Sequence, residues 1–158
     1  MEPVAYRHLD ALIALKADPR VFAVMLGGVR TPLRAVEELA EEMAMWARRG
    51  LGIWAVFERE TFVGVTGFME RADGHGIALR FAFTPESRGR GLAREAAGAA
   101  LRFAHEVAGL PRVVAVARED NIDSRTVLGA IGMRPCGTFL RDGYTMLVFE
   151  SVRDVPAP

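Results

Sequence analysis

The sequence predicts a single α/β domain on a mixed, mostly antiparallel sheet that contains one βαβ unit. Three observations predict it. Short runs of β-branched and aromatic residues cluster in the middle of the chain, an alanine-rich amphipathic stretch separates two of them, and an Asp-Gly pair divides the last two. Length and composition agree, since 158 residues with 51% apolar side chains suit one domain with a full core. The domain is expected over residues 1–152, with a Pro-containing tail over 153–158.

From His8 to Ala17, Leu9, Leu12 and Ile13 recur at helical spacing. Asp18-Pro19 stops the run, because a residue before proline is pushed out of the helical region. A second helix opens at Thr31-Pro32, a hydroxyl N-cap followed by proline at the first helical position, and runs to Gly50. Val36, Leu39, Ala40, Met43 and Ala47 form its apolar stripe, and Glu37, Glu38, Glu41 and Glu42 read as its solvated face. Ile53–Phe57 and Phe62–Phe68 are strands of an antiparallel hairpin turning at Glu58-Arg59-Glu60. After the turn Ala72–Gly76, Ile77–Phe83 is a third strand near the middle of the sheet.

From Pro85 to Ala108 the pattern is helical, with small residues such as Ala93, Ala96, Ala97 and Ala100 that let a helix lie close on a sheet. Val113–Val116 is a buried strand, and the strand, helix and strand together form a right-handed βαβ unit. A short helix from Ile122 to Ile131 stops at Gly132. The strands near Thr138–Arg141 and Tyr144–Phe149 flank Asp142-Gly143, a hairpin signal.

The 20 basic and 20 acidic residues cancel, which argues against a protein built to grip nucleic acid or anionic lipid. Lys16 is the only lysine. One cysteine, Cys136, cannot form an internal disulfide, and His8, His75 and His105 lie too far apart for zinc spacing, so no metal is expected. Cys136, beside Pro135, reads as structural rather than nucleophilic. No apolar run reaches the roughly 20 residues of a membrane span, and the first residues lack signal-peptide features, so no membrane association and a reducing cytoplasmic location are expected.

The stretch that carries chemistry is Ser87-Arg88-Gly89-Arg90-Gly91-Leu92-Ala93, between a strand and the alanine-rich helix. Two glycines let the backbone approach a ligand, and a helix N-terminus points unpaired N–H groups outward. Those groups and the helix dipole make an anion site, to which Arg88 and Arg90 add charge. A dinucleotide fingerprint would place a third glycine where Arg94 stands, and a P-loop would need a lysine beside the turn. Neither pattern is met.

Arg88-x-x-Gly91-x-Ala93 resembles the acetyl-CoA pyrophosphate loop, R/Q-x-x-G-x-G/A, of the GCN5-related N-acetyltransferases (GNAT). Downstream, Asn121-x-x-Ser124 followed by Val127-Leu128 and Ile131-Gly132-Met133 is similar to the branch that includes the ribosomal-protein alanine acetyltransferases. The likeness covers about residues 8–150. It implies a sheet that splays between the strand ending at Thr84 and the strand ending at Ala117, with pantetheine in the opening. It further implies backbone contacts from Phe81 and Phe83, a pyrophosphate cradle from Arg88, Gly89, Arg90, Gly91, Leu92 and Ala93, and pantetheine contacts from Asn121 and Ser124.

The resemblance thus implies an acetyl-CoA-dependent N-acetyltransferase that passes the acetyl group directly to a primary amine. The tyrosine that protonates the departing thiolate in many relatives is Leu128 here, so Ser124 or a water is expected to act instead. For the general base, Glu70 at a strand end and His75 in a turn are the nearest candidates, with a water chain as the alternative. The family's opening strand is truncated or missing, which would leave a bare sheet edge and predicts a homodimer or a rearranged N-terminus. A non-catalytic acyl-CoA-binding or sensor protein on the same fold is the rival reading, and a plain interaction domain the third.

Overall fold

The computed structural model describes residues 1–74 and 76–154. Its seven-stranded sheet has the order β1-β2-β3-β4-β5-β7-β6. β1 is Glu2–Pro3, β2 Ile53–Glu58, β3 Thr61–Glu70, β4 Ile77–Phe83, β5 Arg112–Arg118, β6 Arg134–Arg141 and β7 Tyr144–Val152. Every neighbouring pair is antiparallel except β4 and β5. The helices are α1 Leu9–Ala17, α2 Pro19–Phe22, α3 Pro32–Arg49, α4 Leu92–Glu106 and α5 Ile122–Ala130.

A first strand of two residues, β1, is present. Glu2 pairs with Ala55 and Pro3 with Trp54, and the Val4 N–H donates to the Ile53 carbonyl. A single 3-10 turn, Tyr6–His8, then carries the chain into α1. Asp18-Pro19 ends α1 as expected, yet it also starts α2. The Asp18 carboxylate accepts from the Arg20 N–H at 2.9 Å, and Pro19 takes the first helical position. The α4 helix starts later than its pattern suggested, at Leu92, because Pro85–Ser87 forms a separate 3-10 turn and Gly89 and Gly91 hold positive φ. Asp142 and Gly143, with φ of 52° and 80°, close the β6–β7 hairpin.

α3 requires a correction. Its buried positions are Ala35, Leu39, Glu42 and Met45, while Ala40 and Ala47 of the expected stripe are exposed. Two of the four glutamates therefore face inward. Lys16, reaching across from α1, makes that possible, with Nζ donating to Glu38 at 2.8 Å and to Glu42 at 2.9 Å, and Arg30 adds a second donor to Glu38. β6 also starts four residues earlier than expected, which puts Cys136 on a strand, exposed rather than packed.

Side chains alternate along β4, and the two faces meet different layers. Leu79, Phe81 and Phe83 pack with the alanines of α4, and Ala82 packs with Leu12 of α1 and Leu39 of α3. Close approach within the sheet depends on glycine, since a Cβ on Gly67 would stand 2.1 Å from the Gly52 carbonyl oxygen. Among the described residues no helix is long and apolar enough to cross a membrane.

Candidate active site

The parallel junction between β4 and β5 opens almost as soon as it forms. Ala78 with Val114 is its one paired position, whereas β3 and β4 pair over seven. The Thr84 N–H donates to the Val63 carbonyl at 2.9 Å, and backbone groups alternate sides along a strand. The N–H and C=O groups of Phe83 and Phe81 therefore point away from β3, toward β5 and into the opening. Both aromatic side chains pack in the core.

A cleft of about 500 Å³ occupies this opening. Ala78–Ala82 and Ala115–Arg118 form its strand walls, Asn121, Ser124 and Leu128 of the α5 region close one side, and Lys16, Arg30, Glu38 and Glu42 the other. Asn121 caps α5, its Oδ1 accepting from the Ser124 N–H at 3.2 Å, so both residues are fixed at the cleft by one local motif. The Ser124 hydroxyl has no protein hydrogen bond among the described residues. Leu128, 1% exposed, presents an apolar wall.

The glycine–arginine loop lies at the head of α4. Gly91, at φ +74°, is its N-cap and supplies no side-chain cap, so the first amides of a 15-residue helix are left for another acceptor. A Cβ at Gly89 or Gly91 would meet nothing within 4 Å, so positive φ and ligand access require glycine here, not crowding by protein. The two arginines are already engaged: Arg88 donates to the Arg20 carbonyl at 2.7 Å and Arg90 pairs with Glu58. The anion-binding capacity of the loop thus rests on its backbone. Leu92 and Ala93 turn inward against Val56, Val63 and Phe83. A second groove begins at Gly91 and runs between α4 and α5, lined by Arg94, Arg102 and Ile131.

The structure does not bring every expected residue to the cleft. Glu70 pairs with Arg49, and with Arg48 at 3.9 Å, and is absent from the cleft walls. His75 lies outside the described residues. Among those described, no three His, Cys, Asp or Glu side chains are grouped to hold a metal.

Three charged cleft residues escaped sequence reasoning, Lys16, Glu42 and Arg80. Glu42 is buried, one carboxylate oxygen bound to Lys16 and the other without a hydrogen-bond partner. Burial pushes its pKa up against the pull of Lys16. Burial works on Glu38 in the same direction, but hydrogen bonds from Lys16 and Arg30 outweigh it and hold that carboxyl below its ordinary value. The available signal was a lone lysine among nineteen arginines, two helices away from a glutamate run.

Comparison with known proteins places the chain. It is 26% identical over 151 residues to the FsC-acetyl coenzyme A-N(2)-transacetylase of Aspergillus fumigatus, covering 87% of this chain and 63% of that protein. It is 30% identical over 82 residues to the uncharacterized N-acetyltransferase YnaD of Bacillus subtilis, covering 52% and 48%. The chain therefore spans between about half and under two thirds of these curated relatives. A Bordetella pertussis structure assigned to the GnaT-family acetyltransferases superposes with a TM-score of 0.82 at 26% identity, over 94% of this chain and 92% of that one. The Acetyltransferase (GNAT) domain family matches residues 1–134, and with the splayed β4–β5 junction and the uncapped α4 N-terminus it settles the affiliation: the chain belongs to the GNAT acetyltransferase family.

Proposed function

We propose that the protein is an N-acetyltransferase that moves an acetyl group from acetyl-CoA directly to a primary amine. The observation that carries this reading is the opened β4–β5 junction, with the backbone groups of Phe81 that face away from β3 on one wall and Ser124 on the other. Members of the family use acetyl-CoA, and the site fits it. The amides from Gly89 to Ala93 would take the pyrophosphate, the groove beyond Gly91 with Arg94 and Arg102 the adenosine end, and the junction the pantetheine arm. Asn121 would contact pantetheine through whatever its cap leaves free.

In the cleft the amine nitrogen attacks the thioester carbonyl carbon, forming a C–N bond. Negative charge then develops on the carbonyl oxygen, where a β4 backbone N–H in the opening can receive it. The C–S bond breaks as the Ser124 hydroxyl passes its proton to the departing thiolate and takes one from the nitrogen of the tetrahedral adduct, a relay that Leu128 cannot provide. The amine must shed a proton first, and water in the cleft carries it, because Glu70 is held by Arg49. Direct transfer needs no enzyme nucleophile, and Cys136 on β6 is none of the cleft residues. A reducing, cytoplasmic setting suits that exposed thiol. Leu128 also favours a second reading, a non-catalytic acyl-CoA sensor on the same site.

Thermal unfolding with acetyl-CoA, CoA, NAD and ATP tests the site. At 100 times its dissociation constant a ligand adds about 2.7 kcal/mol, several degrees for a domain of this size. Only the CoA species should shift the melting temperature, and Gly91→Glu should abolish the shift by placing a carboxylate on the cradle. Release of CoA with a panel of amines separates enzyme from sensor, and Ser124→Ala should lower that turnover. A folded protein that no CoA species stabilises overturns both readings.

A further inference from the structure

The chain as a whole is neutral, but its cleft is not. Seven basic side chains line it against three carboxylates. Most of these cations are engaged. Lys16 and Arg30 bind Glu38 and Glu42, Arg34 binds Glu37 and Glu41, Arg71 binds Asp73, Arg118 binds Asp120, and Arg141 meets Asp142 at 3.9 Å. Arg80 is the exception. Its guanidinium has no carboxylate within ion-pair distance among the described residues, and it is exposed to the cleft at the middle of β4.

Its position is built. The Arg80 carbonyl accepts from Thr66 Oγ1 at 3.1 Å, and Thr66 is fully buried on β3. Alternation along β4 turns the Arg80 side chain to the α1–α3 face, opposite Phe81 and the α4 helix. The phosphates of acetyl-CoA bind, in the reading above, at the α4 N-terminus and beyond it, so they do not account for a cation here. The pantetheine arm is uncharged. Burial depresses the Arg80 pKa while Glu38 and Glu42, already engaged by Lys16 and Arg30, draw it upward. A guanidinium remains charged throughout the physiological range, and a partly desolvated one gains most from a bidentate oxyanion.

We infer that the acetyl acceptor is a primary amine that also bears an oxyanion, a carboxylate or a phosphate, and that Arg80 receives that group while the amine faces the thioester. The inference rests on the N-acetyltransferase reading. It makes Arg80 a specificity-determining residue and excludes simple polyamines, whose second charge would repel it.

The experiment compares matched amines under saturating acetyl-CoA: α-amino acids, their α-carboxamides, and aminoalkyl phosphates beside the corresponding aminoalcohols. The anionic member of at least one pair should be acetylated with kcat/KM about 10- to 100-fold higher, the range expected for one charge-assisted contact. Arg80→Met should erase that preference through KM with kcat little changed, leave the uncharged member within about twofold, and be partly rescued by Arg80→Lys. The carboxylate and phosphate arms tell which oxyanion is read. Preference for the uncharged members, or an equal loss for both members in Arg80→Met, overturns the inference. A protein that binds acetyl-CoA but acetylates nothing sinks the transferase reading instead. Calorimetry of N-acetyl amino acids against their N-acetyl amides, on CoA-saturated protein, then reads the anion site by itself: tighter binding of the acids, lost in Arg80→Met, supports it, and no discrimination overturns it.

Discussion

At the scale of single residues, the most consequential side chain outside the cofactor loop is Lys16. Its stem and ammonium are 4% exposed, and two carboxylates on α3 depend on it. Removing one partner of a buried pair leaves an uncompensated charge, which costs about 3 to 5 kcal/mol. Lys16→Met should therefore destabilise the protein by that order near pH 7. Glu38 keeps Arg30 in the variant, at 2.8 Å, so the burden falls on Glu42. Glu42 already binds its proton more tightly than an ordinary glutamate, because burial disfavours its charge. A carboxyl raised in the folded state contributes stability that is complete below its unfolded value, about 4.3, and is lost as pH rises through the folded one. The gap between wild type and Lys16→Met should thus be widest near neutrality and shrink as pH falls toward that range. Denaturant unfolding at several pH values measures it, and a pH-independent gap would show that the ammonium is not what holds Glu42. The sequence hid this cluster for a physical reason. A glutamate run on an amphipathic helix is ordinarily solvated, and no local pattern shows that a lysine from another helix will reach it.

Elements were legible where local chemistry and packing agree. Thr31-Pro32 and Gly50 bracket α3 as their capping roles require, with the Thr31 hydroxyl accepting from the Arg34 N–H at 3.1 Å and Gly50 at φ +61°. The face of α3 was not legible, because Ala40 and Ala47 are apolar yet too small for burial to decide the helix rotation, whereas Leu39 and Met45 do decide it. The site was legible in its loop and its α5 cap, since both are contiguous motifs. Arg80 is a single charge within the apolar run of β4, and only the opening of β4 from β5 gives that charge a role. Element-scale packing supplies its own test at Gly67, where β3 runs against the segment leading into β2. A Cβ there would also lie 2.7 Å from the Ile53 Cα, and backbone cannot yield as a side chain can. Gly67→Ala should cost at least about 2 kcal/mol by overpacking, while Gly137→Ala, on β6 with open space around it, should stay within about 0.5 kcal/mol. Parallel urea titrations compare them, and equal midpoints would mean that the sheet relaxes around the methyl group.

For the whole molecule, the question is how a seven-stranded sheet protects its two edges. At one end β1 covers only the start of β2, through two paired residues. At the other, β6 is, among the described residues, an unpaired edge of eight residues, exposed along nearly its whole length, with Leu140 at 79% exposure. A long edge of this kind is normally shortened, charged or covered. Arg134 and Arg141 stand at its ends, leaving Pro135 to Leu140 without charge. The expectation of a homodimer, first drawn from the short β1, is better supported at β6, where a second copy would cover the apolar stretch and pair the unpaired backbone. Sedimentation at tens of micromolar should give twice the mass of the 17.3 kDa chain. Leu140→Glu should return it to the monomer without changing the melting temperature of the monomer itself, because that side chain makes little contact within one chain. Of β6 only Arg141 reaches the cleft and Leu140 does not line it, so a monomeric Leu140→Glu variant should keep its acetyl-CoA shift. A wild-type chain that stays strictly monomeric at high micromolar concentration would show instead that Pro135 and the bulge beside it, where the register slips between Pro135 and Gly137, suffice to blunt the edge.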